Sequence, residues 1–120
     1  MKVQIRHLYE SLQAVKGDGY RVLVDRLWPR GVRKTDLEFD AWEKEIAPTT
    51  ELRKWFGHDP ARWVEFSHRY QQELDTPECQ RRLKDIVDAA GKGKVTLLYA
   101  ARDPQHNHAV VLARVLERLY

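Results

Sequence analysis

The sequence has very little cysteine and no long apolar run, and both absences narrow the possible functions. Cys79 is the only cysteine among 120 residues, which excludes an internal disulfide and a zinc knuckle built from several cysteines. The apolar runs are only a few residues long, whereas a membrane-spanning helix needs about 20. No amino-terminal stretch joins a basic head to a long apolar core. We therefore expect a soluble, cytoplasmic protein without a membrane span.

The sequence also lacks repeats, linkers and any fingerprint of a cofactor, a metal or a nucleophile. The run Gly-Lys-Gly-Lys at 91–94 does not have the spacing of a phosphate-cradling Walker loop. His106 and His108 are two positions apart, so on one regular helix they would point about 200° apart and would not chelate a metal together. We expect neither a metal nor a cofactor, and no sequence pattern identifies a substrate.

Charge of one sign is not in large excess, but it is unevenly distributed. The whole chain carries a formal charge of +3, with 21 Lys and Arg against 18 Asp and Glu. The segment 20–35 holds five basic residues and one acid, so the rest of the chain is close to neutral. This local positive field favours an anionic partner, although a solvated basic loop is the alternative interpretation.

Two apolar stretches read as buried strands, and each runs directly into a polar cluster. Val22–Val24 is followed by a loop with Asp25, Arg26, Trp28 and Arg30, and Val95–Ala101 by Arg102, Asp103, His106, Asn107 and His108. Strands separated by helices are typical of a parallel sheet. The carboxyl ends of parallel neighbours share one edge, where α/β proteins bind ligands. We predict a ligand site there.

The remaining segments predict one α/β domain over residues 1–120. It has a small, mainly parallel sheet with flanking helices and a helical insertion between the two central strands. Val3 and Ile5 alternate with polar residues, as in an edge or near-edge strand, and one helical turn fits Ser11–Val15. Helices are predicted to begin at Thr35 or Asp36, Thr49 or Thr50, Asp59-Pro60, Thr76-Pro77 and Asp103-Pro104.

Three of these helices carry further expectations. The first, with Leu37, Ala41, Trp42 and Ile46 on one face, should end at Ala47-Pro48. The fourth should bury Cys79 as a core thiol. The last is apolar nearly all round, so it must be covered by the sheet and by either another helix or a partner subunit. The protein is accordingly expected to be a monomer or a homodimer through this helix.

Side chains at the predicted sheet edge suggest specific roles. Arg26, Arg30 and Arg102 are expected to converge on an anion, helped by backbone N–H groups at the start of the last helix. Asp25 and Asp103 either orient these arginines or serve only in an ion pair and a helix cap. The acid–base candidates are His58, Asp25 and His106, and a histidine satisfied by a nearby carbonyl is the alternative for His58. Trp28 and Asn107 complete the predicted ligand-binding set.

The leading hypothesis is a small anionic ligand, phosphorylated or nucleotide-like, that is bound and acted on by acid–base chemistry. The alternative is a nucleic-acid-binding, regulatory or stress-related interaction module without catalysis. In that case Trp28 would stack on bases beside the basic loop. The helical spacing of Trp42, Trp55 and Trp63 assigns those three side chains to the core instead.

Three long motifs closely resemble the YeaO-like family, a bacterial domain of unknown function (type 488). They are Tyr-Arg-Val-Leu-Val-Asp-Arg-Leu-Trp-Pro-Arg-Gly at 20–31, Leu-Arg-Lys-Trp-Phe-Gly-His-Asp-Pro at 52–60, and Thr-Leu-Leu-Tyr-Ala-Ala-Arg-Asp at 96–103 with His106-Asn107. The resemblance implies an α/β domain without an established activity. The family's signature positions fall on Asp25, Arg26, Trp28, Pro29, Arg30, Gly31, Gly57, His58, Asp59, Arg102, Asp103, His106 and Asn107.

The resemblance extends to a wider superfamily, which looks as if it places a cysteine at the end of the late strand and a Cys-His-Arg run at the start of the following helix. Here Tyr99 and Asn107-His108-Ala109 occupy those positions. The chain therefore lacks the thiols that a rhodanese-like or redox mechanism requires.

Overall fold

Four parallel strands form the sheet of the computed structural model, which describes residues 2–120. In chain order the strands are β1 (Val3–His7), β2 (Tyr20–Leu23), β3 (Ala41–Trp42) and β4 (Val95–Tyr99). They lie in the order β1–β4–β2–β3, so β4 and β2 are central neighbours with Val22 opposite Leu97. The predicted α/β class and the parallel pairing of the two apolar strands are confirmed.

Four α-helices and three short 3₁₀ helices complete the fold. The α-helices are α1 (Thr50–Phe56), α2 (Trp63–Leu74), α3 (Pro77–Ala90) and α4 (His108–Glu117), and the 3₁₀ helices are Leu8–Glu10, Lys44–Ile46 and Pro60–Arg62. Thr49, Asp59 and Thr76 cap helix starts with their side-chain oxygens, as the sequence predicts. Within residues 2–120 no helix is long and apolar enough to cross a membrane.

The helix predicted from Thr35 or Asp36 to Ala47 is wrong. Ala41 and Trp42 instead form β3, which pairs with Val22 and Leu23 on the free edge of β2. The N–H of Asp40 donates to the Arg21 carbonyl at 2.7 Å, and the N–H of Glu43 donates to the Leu23 carbonyl at 2.9 Å. Edge pairing satisfies the backbone of β2, and this long-range gain overrides the helical pattern. The segment between the central strands is therefore not purely helical.

The predicted start of the last helix at Asp103-Pro104 is also wrong. The N-cap is Asn107, whose side-chain oxygen accepts the Val110 N–H at 3.3 Å. The Asp103 carboxylate caps a separate turn, where it accepts the N–H groups of Gln105 and His106 at 2.9 and 3.1 Å. Two capping residues four positions apart compete for one helix, and the later one begins it.

The connection from β1 to β2 contains less helix than the sequence suggests. β1 is an edge strand, as predicted, and pairs only with β4 in the described chain. A 3₁₀ turn at Leu8–Glu10 follows it directly, whereas the helical turn expected at Ser11–Val15 is not formed. The chain must pass the position of β4 to reach β2, so it crosses the sheet in an irregular loop.

The two faces of the sheet are covered in different ways. All four α-helices contribute to the core on one face, which contains Val22, Val95, Leu97 and Tyr99 from the central strands. Loop residues cover the other face around Leu8, Leu23, Leu37 and Leu98. α4 contacts β1, β4 and α2, so the sheet and α2 of the same chain cover its apolar sides. Cys79 on α3 is half-buried and packs against the helix-side core.

A buried ion pair lies under the loop-covered face. Arg21 and Asp18 are each only 2% exposed, with Nη1 of Arg21 at 2.7 Å from Oδ2 of Asp18. The remaining guanidinium N–H groups donate to the carbonyls of Glu38 at 2.7 Å and Ser11 at 2.8 Å. Arg21 is one of the five basic residues of segment 20–35, but it is buried and does not contribute to the surface charge. Its hydrogen bonds hold two loops against β2.

Three groups stabilise the ionised form of Asp18. Burial alone would raise the pKa of this carboxyl. Hydrogen bonds from the Val15 N–H and Arg21, together with the charge of Arg6, outweigh burial and place the pKa below its ordinary value. A carboxyl with a lower pKa in the folded state stabilises the fold above its unfolded pKa. That stability is lost as the pH falls through the folded pKa.

Replacing Asp18 by Asn should lower the free energy of unfolding at neutral pH by about 3 kcal/mol, because the Arg21 charge is left buried without its partner. The variant should also lose part of the decline in stability that we expect in the wild type below about pH 4. Urea unfolding at a series of pH values measures both effects.

The matched control is Asp36→Asn, which breaks the exposed pair between Arg33 and Asp36. We expect only a small loss of stability there, because water screens the charges. Equal losses in the two variants would contradict a structural role for the buried pair.

Candidate functional site

A cleft of about 750 Å³ opens at the carboxyl edge of the sheet. Its walls come from the segments that follow the strands: Tyr9 after β1, residues 25–30 after β2, and Ala100 and Ala101 after β4. The chain entering α1, α1 itself and the start of α4 close the other sides. The cleft therefore lies at the edge where the sequence places the ligand site.

Asp25 joins the ends of the two central strands at this cleft. Its Oδ2 accepts the N–H of Ala100 at 3.1 Å, and its Oδ1 lies 3.0 Å from Nε2 of His108. The same Nε2 is 3.0 Å from the carbonyl oxygen of Val24. Both neighbours of this nitrogen are acceptors, so Nε2 carries a proton. Asp25 thus orients a histidine rather than an arginine.

The sequence analysis placed His108 in the polar cluster after β4 but weighed only a metal-binding role for it, and so missed its contact with Asp25. Its side chain is 15% exposed, and its ring lies edge-on to that of Tyr70 on α2, with 6.3 Å between the centroids. In a helix that begins at Asp103-Pro104, His108 would lie in the second turn. The true start at Asn107 puts His108 in the first turn, beside Asp25, and no local pattern distinguishes the two starts.

Arg26 lines the cleft and holds two segments together. Its Nε donates to the Pro48 carbonyl and one Nη to the Ala47 carbonyl, both at 3.0 Å. In the described part of the chain Arg26 forms no ion pair with a carboxylate. Two of its five N–H groups are thus used, and its positive charge is not neutralised by the protein.

Three more cations line the cleft: Arg30, Arg53 and Lys54. All three side chains are exposed, and among residues 2–120 they form no ion pair. Arg53 and Lys54 were missed because they lie on the polar face of α1, outside the apolar stripe of Leu52 and Phe56, where the sequence predicts only solvent. The placement of α1 against the sheet edge turns that face toward the cleft.

The segment before α4 is held by its own hydrogen bonds. Nδ1 of His106 lies 2.8 Å from the Asp103 carboxylate, and the ring packs edge-on to Trp63. The Asn107 side chain is buried, because its oxygen caps α4 and its Nδ2 donates to the Asp103 carbonyl at 2.8 Å. The N–H of Gln105 and the contact with His106 lower the pKa of Asp103.

The other predicted residues occupy the rim and the walls. His58 is exposed at the rim, with a positive φ of 56°, and follows Gly57, the C-cap of α1. Trp28 lines the cleft, but its Nε1 donates to the Val32 carbonyl at 2.6 Å and its ring packs against Phe39 and Trp42. Arg102 is exposed, and neither it nor Asp103 is among the lining residues. The structure thus gathers seven of the nine predicted residues around one cleft.

Asn107→Ala should lower the free energy of unfolding by about 1–2 kcal/mol, because the first turn of α4 loses its cap and Asp103 loses a donor. Asn107→Asp is the matched control, since its carboxylate can still cap Val110 and an acid is favourable at a helix start. Urea unfolding compares the two. An alanine variant as stable as the aspartate variant would contradict the capping role.

Comparisons with known proteins agree with this description. The family model described as "Inactive DUF488-N3 subclade" matches residues 2–120. The uncharacterised protein YeaO of Escherichia coli K12 is 46% identical over 119 residues, covering 99% of this chain and all of its own. The uncharacterised protein Rv3073c of Mycobacterium tuberculosis H37Rv is 41% identical over 115 residues, covering 96% and 93%. No solved structure matches. The chain therefore belongs to the YeaO-like DUF488 family.

Proposed function

We propose that this protein binds a small phosphorylated anion in the cleft at the carboxyl edge of its sheet, and that it does so in the cytoplasm. The observation that carries the proposal is the charge of the lining. Arg26, Arg30, Arg53 and Lys54 surround one concavity, and in the described chain the only carboxylate of the lining is Asp25. That carboxylate is already engaged by Ala100 and His108.

Electrostatics favours a bound anion in such a cleft. Four like charges around a concave, partly apolar surface repel one another, and an anion removes that repulsion while accepting several charge-assisted hydrogen bonds. The first turn of α4 adds N–H groups without intrahelical acceptors and the positive end of the helix dipole. Phosphate esters fit these donors best, because their oxygens accept from several directions.

Binding has more support than turnover. Of the acid–base candidates, Asp25 and His106 are held by protein partners, whereas His58 at the rim forms no hydrogen bond or ion pair among residues 2–120. Cys79, the only thiol of the sequence, lies on α3 and does not line the cleft. The matching family model is itself described as inactive. Acid–base chemistry by His58, Asp25 or His106 would be a further step beyond the proposed binding.

Nucleic-acid binding has less support than a pocketed ligand. The aromatic platform it needs is Trp28, whose indole N–H and ring are both committed to neighbours within the protein. A binder of single strands stacks bases on open aromatic faces. The concave shape of the cationic surface likewise favours a small molecule over an extended backbone.

Phosphate and sulfate should raise the unfolding temperature of the wild type, because a ligand at one hundred times its Kd adds about 2.7 kcal/mol to stability. The double variant Arg53→Ala, Lys54→Ala should weaken phosphate binding about tenfold or more, since two charge-assisted contacts are lost. Calorimetry and thermal unfolding measure both effects.

The matched control removes the same two charges from α3, as Arg81→Ala with Lys84→Ala. Both of those side chains are exposed and lie outside the cleft. The proposal fails if the control weakens phosphate binding as much as the cleft variant does. Affinity for an oligonucleotide that exceeds affinity for phosphate and falls steeply with salt would favour the nucleic-acid alternative instead.

A further inference from the structure

We propose that His108 determines the charge of the ligand that the cleft accepts, so that the cleft takes the dianionic group of a phosphate monoester in preference to a phosphodiester. The inference rests on the proposed function and adds the class of ligand to it. It depends on which nitrogen of His108 is already occupied and on which nitrogen is left.

The first step is the assignment of one proton. Nε2 of His108 lies 3.0 Å from the Val24 carbonyl and 3.0 Å from Oδ1 of Asp25. Neither oxygen can donate when Asp25 is ionised, so Nε2 must be the donor in every protonation state of the ring. Oδ1 is fully buried and accepts no hydrogen bond in the described chain, so the His108 ring at 3.0 Å is the group placed to balance its charge. The pair thus fixes the ring and its tautomer.

The second step concerns the nitrogen that remains. Nδ1 of His108 makes no hydrogen bond within residues 2–120, although the residue lines the cleft. An anion oxygen without a proton can only accept, so it needs an N–H at Nδ1. Because Nε2 already holds a proton, contact with such an oxygen requires the doubly protonated ring. Binding of a fully ionised anion is therefore coupled to the uptake of one proton.

The surrounding charges decide when that proton is taken up. Asp25, from the loop after β2, favours the imidazolium at 3.0 Å, and Tyr70 from α2 presents an uncharged ring. Four cations of the lining oppose it: Arg26 and Arg30 from the loop after β2, and Arg53 and Lys54 from α1. His106 from the loop before α4 and His58 after α1 add to that opposition when they are protonated. A bound dianion reverses the balance, because its two charges face the ring directly.

This coupling distinguishes ligands by charge. A phosphate monoester carries a charge of about −1.5 to −2 at neutral pH. It therefore stabilises the protonated His108 ring more than a singly charged anion does. A phosphodiester carries roughly one negative charge per phosphate. It therefore offsets less of the repulsion between a protonated His108 and the four cations. The cleft is therefore suited to a terminal phosphate and not to an internal one.

Sulfate is the probe that isolates the protein's proton, because it stays fully ionised throughout the pH range in which histidines titrate. Its Kd for the wild type should rise up to tenfold per pH unit above the midpoint of the His108 titration, as linkage to one proton requires. Calorimetry in buffers of different ionisation enthalpy should count about one proton taken up. The variant His108→Gln should bind sulfate more weakly, with little dependence on pH.

The matched control is His68→Gln on α2, an exposed histidine outside the cleft, which should keep the wild-type pH profile. A second measurement needs no variant. In wild-type protein, NMR titration of the His108 ring should show its midpoint shifted upward by about one pH unit when sulfate is saturating. This readout holds even if the glutamine variant folds poorly.

The outcomes separate the two proposals. Wild-type protein that binds neither sulfate nor phosphate at any pH overturns the proposed function and this inference together. Binding that is independent of pH, or that keeps its pH profile in His108→Gln, overturns the inference alone. The same holds if His58→Gln or His106→Gln removes the pH dependence while His108→Gln does not. Equal affinity for methyl phosphate and dimethyl phosphate would also overturn the selection of monoesters.

Discussion

The parallel pairing of β2 with β4 is the constraint on which the rest of the structure depends. With Val22 opposite Leu97, both strands end at one edge, where Asp25 receives the N–H of Ala100. This register brings the loop after β2 beside Ala100, on the segment that leads to α4. A shift of one residue in the register would displace Asp25 from the N–H of Ala100.

The opposite face of the sheet shows how a small α/β protein manages without a second layer of helices. Loops cover that face, and loops bring backbone carbonyls that need donors. Arg21 supplies them to Glu38 and Ser11 while it pairs with Asp18, so one buried guanidinium satisfies polar groups from two loops. Such a pair adds little net stability over apolar packing, but it specifies one arrangement, because any other arrangement leaves a buried charge unpaired.

Much of the candidate site was predictable because its location follows from strand topology. Asp25, Arg26, Trp28 and Arg30 were located by their position after a buried strand, and all four line the cleft. What each one contacts was not predictable. Asp25 holds His108, Trp28 donates to its own loop, and Arg26 donates to carbonyls beside α1. Each partner is distant in sequence, and a donor meets whichever acceptor the packing brings near.

The sequence by itself determined the elements whose signals are local. Apolar runs marked β2 and β4, and Thr49, Asp59 and Thr76 marked three helix starts, because a cap and a buried strand depend on neighbouring residues. Only the tertiary structure decided that Ala41 and Trp42 form a strand, that α4 begins after Asn107, and that Arg53 and Lys54 face the cleft. These choices depend on hydrogen bonds and packing between segments far apart in the chain, and no local pattern carries that information.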